Sequence, residues 1–152
     1  MSNSDLNVLF VCTGNTCRSP IAEQIFNQQA RDLSALATSV GLDAKEGSPI
    51  NPQASHALNQ LGFSTTEHSS RLISAEAIDQ ADVVLVFTQD QKNDLAERFP
   101  AAIGKLFTIS EYANGAVQDV PDPYGKSAEV YQETAETINA LVKVIVSSLK
   151  NG

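Results

Sequence analysis

Four short apolar runs alternate along this chain with segments in which apolar residues recur at helical spacing. Residues 7–11 and 81–87 are almost uninterrupted aliphatic or aromatic runs, which is typical of strands buried on both faces of a sheet. Residues 35–42 and 104–109 are predicted to be the other two strands. Strands and helices in alternation predict an α/β fold, with a four-stranded parallel sheet and helices on both faces.

Capping residues and prolines indicate where the helices begin and end. The predicted helices cover residues 19–33, 51–62, 88–99 and 128–149. In the first of them, Ser19 is predicted to be the N-cap and Pro20 the first helical residue. Asn51 is predicted to cap the second helix, and Pro100 to end the third. The last helix carries an apolar stripe that is predicted to face the sheet.

Composition limits what else the chain can be. Its 152 residues are 42% hydrophobic, which predicts a single domain spanning residues 1–152. The net charge of −8 argues against nucleic acid or an anionic membrane as a partner. No apolar run approaches the ~20 residues of a membrane span, and residues 1–7 lack the features of a secretory signal. These observations predict a cytoplasmic protein.

The loop after the first strand, with the sequence CTGNTCRSP at residues 12–20, concentrates the reactive side chains. A tight strand-to-helix loop turns backbone N–H groups inward beside a helix N-terminus, which creates an anion-binding site. Gly14 and Asn15 supply conformational freedom, and Arg18 can hold two phosphate oxygens with its planar fork. A Cys12 thiolate facing a bound phosphate is a nucleophile for phosphoryl transfer.

The two cysteines, Cys12 and Cys17, are too few for a disulfide framework or a complete zinc site. A reduced, reactive thiol is the better interpretation of Cys12, although a cysteine at the end of a strand often serves only packing. Cys17 is either a small packing residue or a partner for a reversible disulfide with Cys12. No convincing ligand cluster is present, so neither a metal nor another cofactor is predicted.

The pattern Cys12-x5-Arg18-Ser19 resembles the signature loop of the low-molecular-weight protein tyrosine phosphatases, and Asp122-Pro123 resembles the family's acid loop. The resemblance implies that Cys12 is the nucleophile and Asp122 the general acid. It also implies that Arg18 and the N–H groups from Thr13 to Arg18 bind the phosphoryl group. Ser19 would donate a hydrogen bond to the cysteine sulfur.

Two weaker matches leave alternatives open. In the family, a histidine in a segment like residues 67–71 (EHSSR) pairs with the loop asparagine, which implies that His68 contacts Asn15. The alternative is a histidine on a surface loop. Tyr124 either lines the wall of the pocket or is a packed, half-exposed aromatic residue.

Three departures from the phosphotyrosine pattern bear on the substrate. Thr16 stands where the tyrosine phosphatases commonly carry a bulky aliphatic residue, residues 39–49 contain no aromatic side chain, and Gly125 replaces a second aromatic residue. These features resemble the bacterial protein arginine phosphatases of the same family. The expected substrate is therefore a phosphorylated protein, with phosphoarginine favoured over phosphotyrosine.

Other activities on a similar fold are less consistent with the sequence. An arsenate reductase would need further cysteines downstream, and none follows Cys17. A sugar-transport phosphocarrier would have no need of Arg18 or Asp122, and a binding module would need neither Cys12 nor Asp122. The sequence does not indicate an oligomeric state.

Overall fold

The computed structural model describes residues 5–65 and 67–151, and its centre is a four-stranded parallel sheet. The strands are β1 (Leu6–Cys12), β2 (Ala35–Gly41), β3 (Val83–Val86) and β4 (Leu106–Thr108). They are arranged in the order β2-β1-β3-β4, and every neighbouring pair is parallel. The predicted fold class is confirmed. The expectation about the N-terminal segment falls largely on residues 1–4, which lie outside the described residues.

Among the described residues, six α-helices and one 3₁₀ turn connect and cover the strands. They are α1 (Arg18–Gln29), α2 (Pro52–Gln60), α3 (Ala75–Gln80), α4 (Gln89–Arg98), the 3₁₀ turn (Pro100–Lys105), α5 (Ile109–Asn114) and α6 (Ala128–Asn151). The four predicted helices correspond to α1, α2, α4 and α6. The predictions missed α3, α5 and the 3₁₀ turn. No helix of the described residues is long and apolar enough to cross a membrane.

The predicted N-cap and first residue of α1 were each wrong by two residues. The helix begins at Arg18, the N-cap is Cys17, and no side chain caps the helix. Ser19 is therefore the second helical residue and Pro20 the third. The Ser19 hydroxyl is directed to Cys12 and Asn15 instead of the helix N-terminus. Pro20 still fits, because the N–H groups of the first turn have no partner within the helix.

The sheet separates two hydrophobic cores. Phe10 of β1 points to the side covered by α1, α2 and α6, where it packs against Phe26 and Phe87. Leu9 and Val11 point to the opposite side, which α3 and α4 cover. The alternation follows from the strand period of two. Because both faces are covered, β1 is apolar from Val8 to Cys12 and β3 is apolar throughout.

The topology places the loop after β1 beside the loop after β3. The chain leaves β1 to form β2 on one side and then crosses over to form β3 on the other, so the strand order reverses at β1. Ligands of open α/β sheets bind at such a point, beyond the carboxyl ends of the strands. The backbone N–H of Val120 donates to the carbonyl of Phe87, directly after β3, at 2.8 Å. This bond brings the loop that bears Asp122 to the same edge of the sheet.

Candidate active site

A cavity of about 230 Å³ opens where β1 meets α1. Its lining residues come from the loop after β1 and from the loop before α6. They are Cys12, Thr13, Gly14, Thr16, Cys17, Arg18, Asp122 and Tyr124. The fold thus brings a thiol, a guanidinium and a carboxyl group from positions 110 residues apart into one small space.

The loop from residue 13 to residue 17 has the properties of an anion-binding site. Within residues 5–65 and 67–151, its backbone N–H groups have no recorded acceptor. Asn15 adopts a left-handed conformation with φ of 57°, whereas Gly14 does not, so the asparagine makes the turn. The loop leads directly into α1, whose N-terminus adds a partial positive charge. Free N–H groups beside a helix N-terminus attract phosphate.

Arg18 is a buried guanidinium that is only partly paired. It is 4% exposed, and its Nη1 donates to the carbonyl oxygen of Val120 at 2.9 Å. Its Nη2 lies 3.9 Å from Asp122 Oδ2, and its buried Nε has no partner among the described residues. A buried donor without a partner is costly. The guanidinium is therefore anchored on one side and retains donors for an anion on the other.

Cys12 lies at the floor of the cavity and is 2% exposed. Its sulfur is 3.0 Å from the Ser19 hydroxyl oxygen, which also accepts a hydrogen bond from Asn15 Nδ2 at 2.9 Å. Asn15 is itself fixed, because its Oδ1 accepts from the backbone N–H of Arg71 at 2.9 Å. Since the Ser19 oxygen accepts from Asn15, its proton is available to the sulfur. This arrangement places a hydrogen-bond donor beside the sulfur, within α1.

A second layer of buried polar groups supports Asn15. His68, with a side chain that is 6% exposed, lies with Nε2 2.7 Å from the Asn15 carbonyl oxygen, so the contact expected from the resemblance is present. Asn15 Nδ2 also donates to Ser39, whose hydroxyl donates to Glu23. Burial raises the pKa of Glu23, and its contacts with Ser39 and His68 lower it in part. The network holds Asn15 in its left-handed conformation.

Asp122 and Tyr124 form the outer wall of the cavity. The Asp122 side chain is 53% exposed, and its Oδ1 accepts from the backbone N–H of Tyr124 at 3.0 Å. This local turn directs Oδ2 towards Arg18. Tyr124 is 69% exposed. The carboxyl group is therefore placed at the entrance, within reach of solvent and of a leaving group.

Not every predicted site residue lines the cavity. Asn15 and Ser19 are fully buried behind Cys12 and act on the loop, not on the cavity space. Cys17 lines the cavity but belongs to the hydrophobic core, with its sulfur 3.6 Å from the Tyr131 hydroxyl. Burial raises the pKa of Cys17, which keeps it a thiol. None of residues 39–49, the segment without aromatic side chains, is among the described residues that line the cavity.

Three residues that shape the site were not identified from the sequence. Gly41 lies so close to the loop that a Cβ atom there would be 2.6 Å from the Thr13 carbonyl oxygen. Gln91 donates from its Nε2 to the Thr13 hydroxyl oxygen at 3.2 Å, and Val120 accepts from Arg18. The spacing of Thr88 and Gln91 is that of a capping box, a signal that could have drawn attention to Gln91.

The described residues contain no group of three or more histidine, cysteine, aspartate or glutamate side chains arranged to hold a metal ion. The chemistry that the site itself offers is nucleophilic attack by a thiolate on a bound tetrahedral anion, with a carboxyl group at the entrance for proton transfer.

Comparison with protein families gives a match over residues 7–152 to low molecular weight phosphotyrosine protein phosphatase. Two similar proteins are protein-arginine-phosphatases. The protein of Bacillus subtilis (strain 168) is 35% identical over 147 residues, which are 95% of this chain and 97% of the relative. The protein of Geobacillus stearothermophilus is 37% identical over 144 residues, which are 94% of this chain and 95% of the relative.

A solved structure is similar over almost the whole chain. It is a YwlE arginine phosphatase mutant with serine in place of cysteine, in which the active-site serine is phosphorylated. It superposes with a TM-score of 0.92 at 34% sequence identity, covering 95% of this chain and 96% of that chain.

Proposed function

The chain belongs to the low molecular weight phosphotyrosine protein phosphatase family of cysteine-based enzymes, and we propose that it hydrolyses phosphorylated side chains of proteins with Cys12 as the nucleophile. Phosphoarginine is the favoured substrate. The observation that carries the proposal is the cavity in which Cys12, Arg18 and Asp122 meet. Each of the three supplies a different part of one reaction. A nucleophile, a bidentate anion ligand and a proton donor in one small space suit phosphoryl transfer.

In the first step, the Cys12 thiolate attacks phosphorus in line with the departing atom. A sulfur–phosphorus bond forms while the bond from phosphorus to the substrate nitrogen or oxygen breaks. Arg18 and the N–H groups of residues 13 to 18 stabilise the charge on the equatorial oxygens. Asp122 donates a proton to the leaving atom. Phosphotyrosine then leaves as a neutral phenol, and phosphoarginine leaves as a guanidinium because its departing nitrogen has gained the proton.

In the second step, water attacks the phosphocysteine, and the Asp122 carboxylate accepts the proton that the water loses. The sulfur–phosphorus bond breaks and Cys12 departs as a thiolate, which the Ser19 hydroxyl at 3.0 Å stabilises. Inorganic phosphate is released and the enzyme returns to its starting state. The phosphorylated active-site serine of the similar mutant supports an intermediate carried at the position of the cysteine.

The composition of the cavity supports phosphoarginine as substrate. Among the described residues that line it, Tyr124 is the one aromatic, so the cavity offers little of the two-sided packing that suits a phenyl ring. The Asp122 carboxyl group at the entrance can accept a hydrogen bond from a guanidinium, which is rich in N–H donors. Thr16 offers a hydroxyl where a bulky side chain would narrow the space. The names of the two similar proteins point the same way.

Phosphotyrosine is the second candidate. The exposed ring of Tyr124 can stack on a substrate phenyl ring, and the description of the matching family names phosphotyrosine. The two substrates share the phosphoryl site. They differ only in the group that leaves and in the walls that contact it.

The test is to measure kcat/KM on matched peptides that carry phosphoarginine or phosphotyrosine at the same position. The proposal expects hydrolysis of both, with phosphoarginine preferred. The Cys12→Ser variant serves as the control, because it should bind inorganic phosphate yet show no measurable turnover. A wild-type protein that ignores phosphoarginine while it hydrolyses phosphotyrosine would make the chain a tyrosine phosphatase. No hydrolysis of either peptide would refute the proposed function.

A further inference from the structure

Gln91 on α4 is a buried amide that makes three hydrogen bonds at the edge of the cavity. It is 7% exposed. Its Oε1 accepts from the backbone N–H groups of Phe87 at 2.9 Å and Thr88 at 3.1 Å. Its Nε2 lies 3.2 Å from the hydroxyl oxygen of Thr13. Gln91 therefore joins the N-terminus of α4 to the first residue after Cys12.

The two backbone donors determine which way the amide faces. Only the oxygen of Gln91 can accept from the N–H groups of Phe87 and Thr88, so the NH₂ group must face Thr13. A primary amide nitrogen donates and does not accept. The Thr13 hydroxyl is therefore the acceptor in this contact, and its own proton must point elsewhere.

The Thr13 hydroxyl has a proton that it can present to the cavity. Thr13 is one of the lining residues, beside Cys12 and Arg18. Among residues 5–65 and 67–151, the structure records no acceptor for this hydroxyl proton. A hydroxyl that is held as an acceptor on one side is a directed donor on the other.

We propose that the Thr13 hydroxyl donates a hydrogen bond to a phosphoryl oxygen of the substrate, and that Gln91 is the positioning residue that orients it. The inference rests on the proposed function, because it requires a phosphoryl group in this cavity. It adds a side-chain donor to the backbone N–H groups and Arg18. It also assigns a role in phosphate binding to α4, which contributes no residue to the cavity lining.

The first test is an NMR titration with inorganic phosphate, which needs no turnover. Thr13→Val keeps the shape of the side chain and removes the hydroxyl, and it should weaken phosphate binding about 10-fold, since hydrogen bonds to charged groups are the strong ones. Thr13→Ser retains the hydroxyl and should bind within about twofold of wild type. Unchanged affinity in Thr13→Val, or in Thr13→Ala if the valine variant does not fold, would overturn the proposal.

The second test reverses the direction of the bond. Gln91→Glu keeps an oxygen for Phe87 and Thr88 but replaces the NH₂ donor by an acceptor, so the Thr13 proton turns away from the cavity. The variant should lose about 10-fold in phosphate affinity, and less than about threefold when Thr13→Val is already present. Equal losses in both backgrounds would show that only the added charge acts, and would overturn the role of Gln91.

Melting temperatures of the variants close to that of the wild type would indicate that the substitutions leave the N-terminal cap of α4 intact. Failure of the proposed function would give a different result, namely a wild-type protein that binds phosphate but hydrolyses neither phosphoarginine nor phosphotyrosine peptides. In that case the phosphate titrations would still decide whether Thr13 and Gln91 act as described.

Discussion

The hydroxyl oxygen of Ser19 lies 3.0 Å from the sulfur of Cys12, inside α1 and beneath the cavity. The same oxygen accepts from Asn15, and because a thiolate can only accept, the Ser19 hydroxyl donates to the sulfur when Cys12 is ionised. A serine that a sequence pattern assigns to a helix cap thus contacts the proposed nucleophile. Its effect should be greatest when Cys12 must depart from phosphorus as a thiolate.

Ser19→Ala is therefore expected to slow breakdown of the phosphocysteine by about 10-fold or more, because a hydrogen bond to a charged sulfur is lost. Stopped-flow measurement with an aryl phosphate checks this result through a larger initial burst of phenol and a slower steady state. Ser110→Ala is the matched control, since Ser110 is a buried serine on α5 that does not line the cavity. A normal steady-state rate in Ser19→Ala would remove Ser19 from the mechanism.

Asp122→Asn should slow hydrolysis of a phosphoarginine peptide by ~10²–10⁴, the range typical of a lost general acid. With an aryl phosphate whose phenol is acidic, the rate of the first step should fall much less in the variant, since that phenol departs without a proton. The measurement is pre-steady-state formation of the phosphoenzyme with both substrates. Equal losses would reduce Asp122 to a turn residue that accepts from the Tyr124 N–H.

Peroxide should inactivate the enzyme reversibly if Cys17 reaches Cys12. Peroxide oxidises the Cys12 thiolate to a sulfenic acid, and the Cys17 thiolate then attacks its sulfur, forms a disulfide and displaces hydroxide, which takes up a proton to become water. Because burial raises the pKa of Cys17, its thiolate fraction is small near neutral pH and increases as the pH rises. Disulfide formation should therefore be faster at about pH 9 than at about pH 7.

The measurement is the activity that a thiol reductant restores after a fixed peroxide dose. Cys17→Ser should recover less, since its Cys12 proceeds to irreversible acids. Equal recovery in both proteins would leave Cys17 with the packing role that its contact with Tyr131 already indicates.

Thr16→Ile should change substrate preference more than phosphoryl transfer itself. Isoleucine is longer than threonine and lacks its hydroxyl, so it narrows the cavity and removes a polar group from its wall. We expect the ratio of kcat/KM for phosphoarginine to that for phosphotyrosine to fall about 10-fold, or ~1.4 kcal/mol of transition-state binding. If kcat/KM fell equally on both peptides, Thr16 would have no role in substrate specificity.

Much of the fold can be predicted from local sequence signals. The errors in the predicted secondary structure also have local causes. The continuous apolar residues of β1 and β3 predict buried strands because both faces of the sheet are covered. The helix α5 was missed because the predicted fourth strand was extended to Ile109, although Thr108 and Glu111 form a capping box there. Ser19 was assigned to a cap because its position before Pro20 is also typical of one.

Some residues of the site could likewise be predicted from the sequence, and others could not. Cys12, Arg18 and Asp122 are predicted because the loop motif and Asp122-Pro123 resemble short signatures of a known family, and the structure places all three at one cavity. The contact of Gln91 with Thr13 spans 78 positions, and the bond from Arg18 to the Val120 carbonyl spans 102. Such contacts depend on the packing of strands and loops, which no single stretch of sequence encodes.

The most direct test of the account is to identify where the phosphoryl group resides during turnover of a phosphoarginine peptide. Rapid quenching followed by mass spectrometry should find phosphate on Cys12, formed at least as fast as the peptide is hydrolysed. Cys12→Ala should give neither the adduct nor turnover. Hydrolysis of the peptide without phosphate on Cys12, or with phosphate on another residue, would contradict the proposed mechanism.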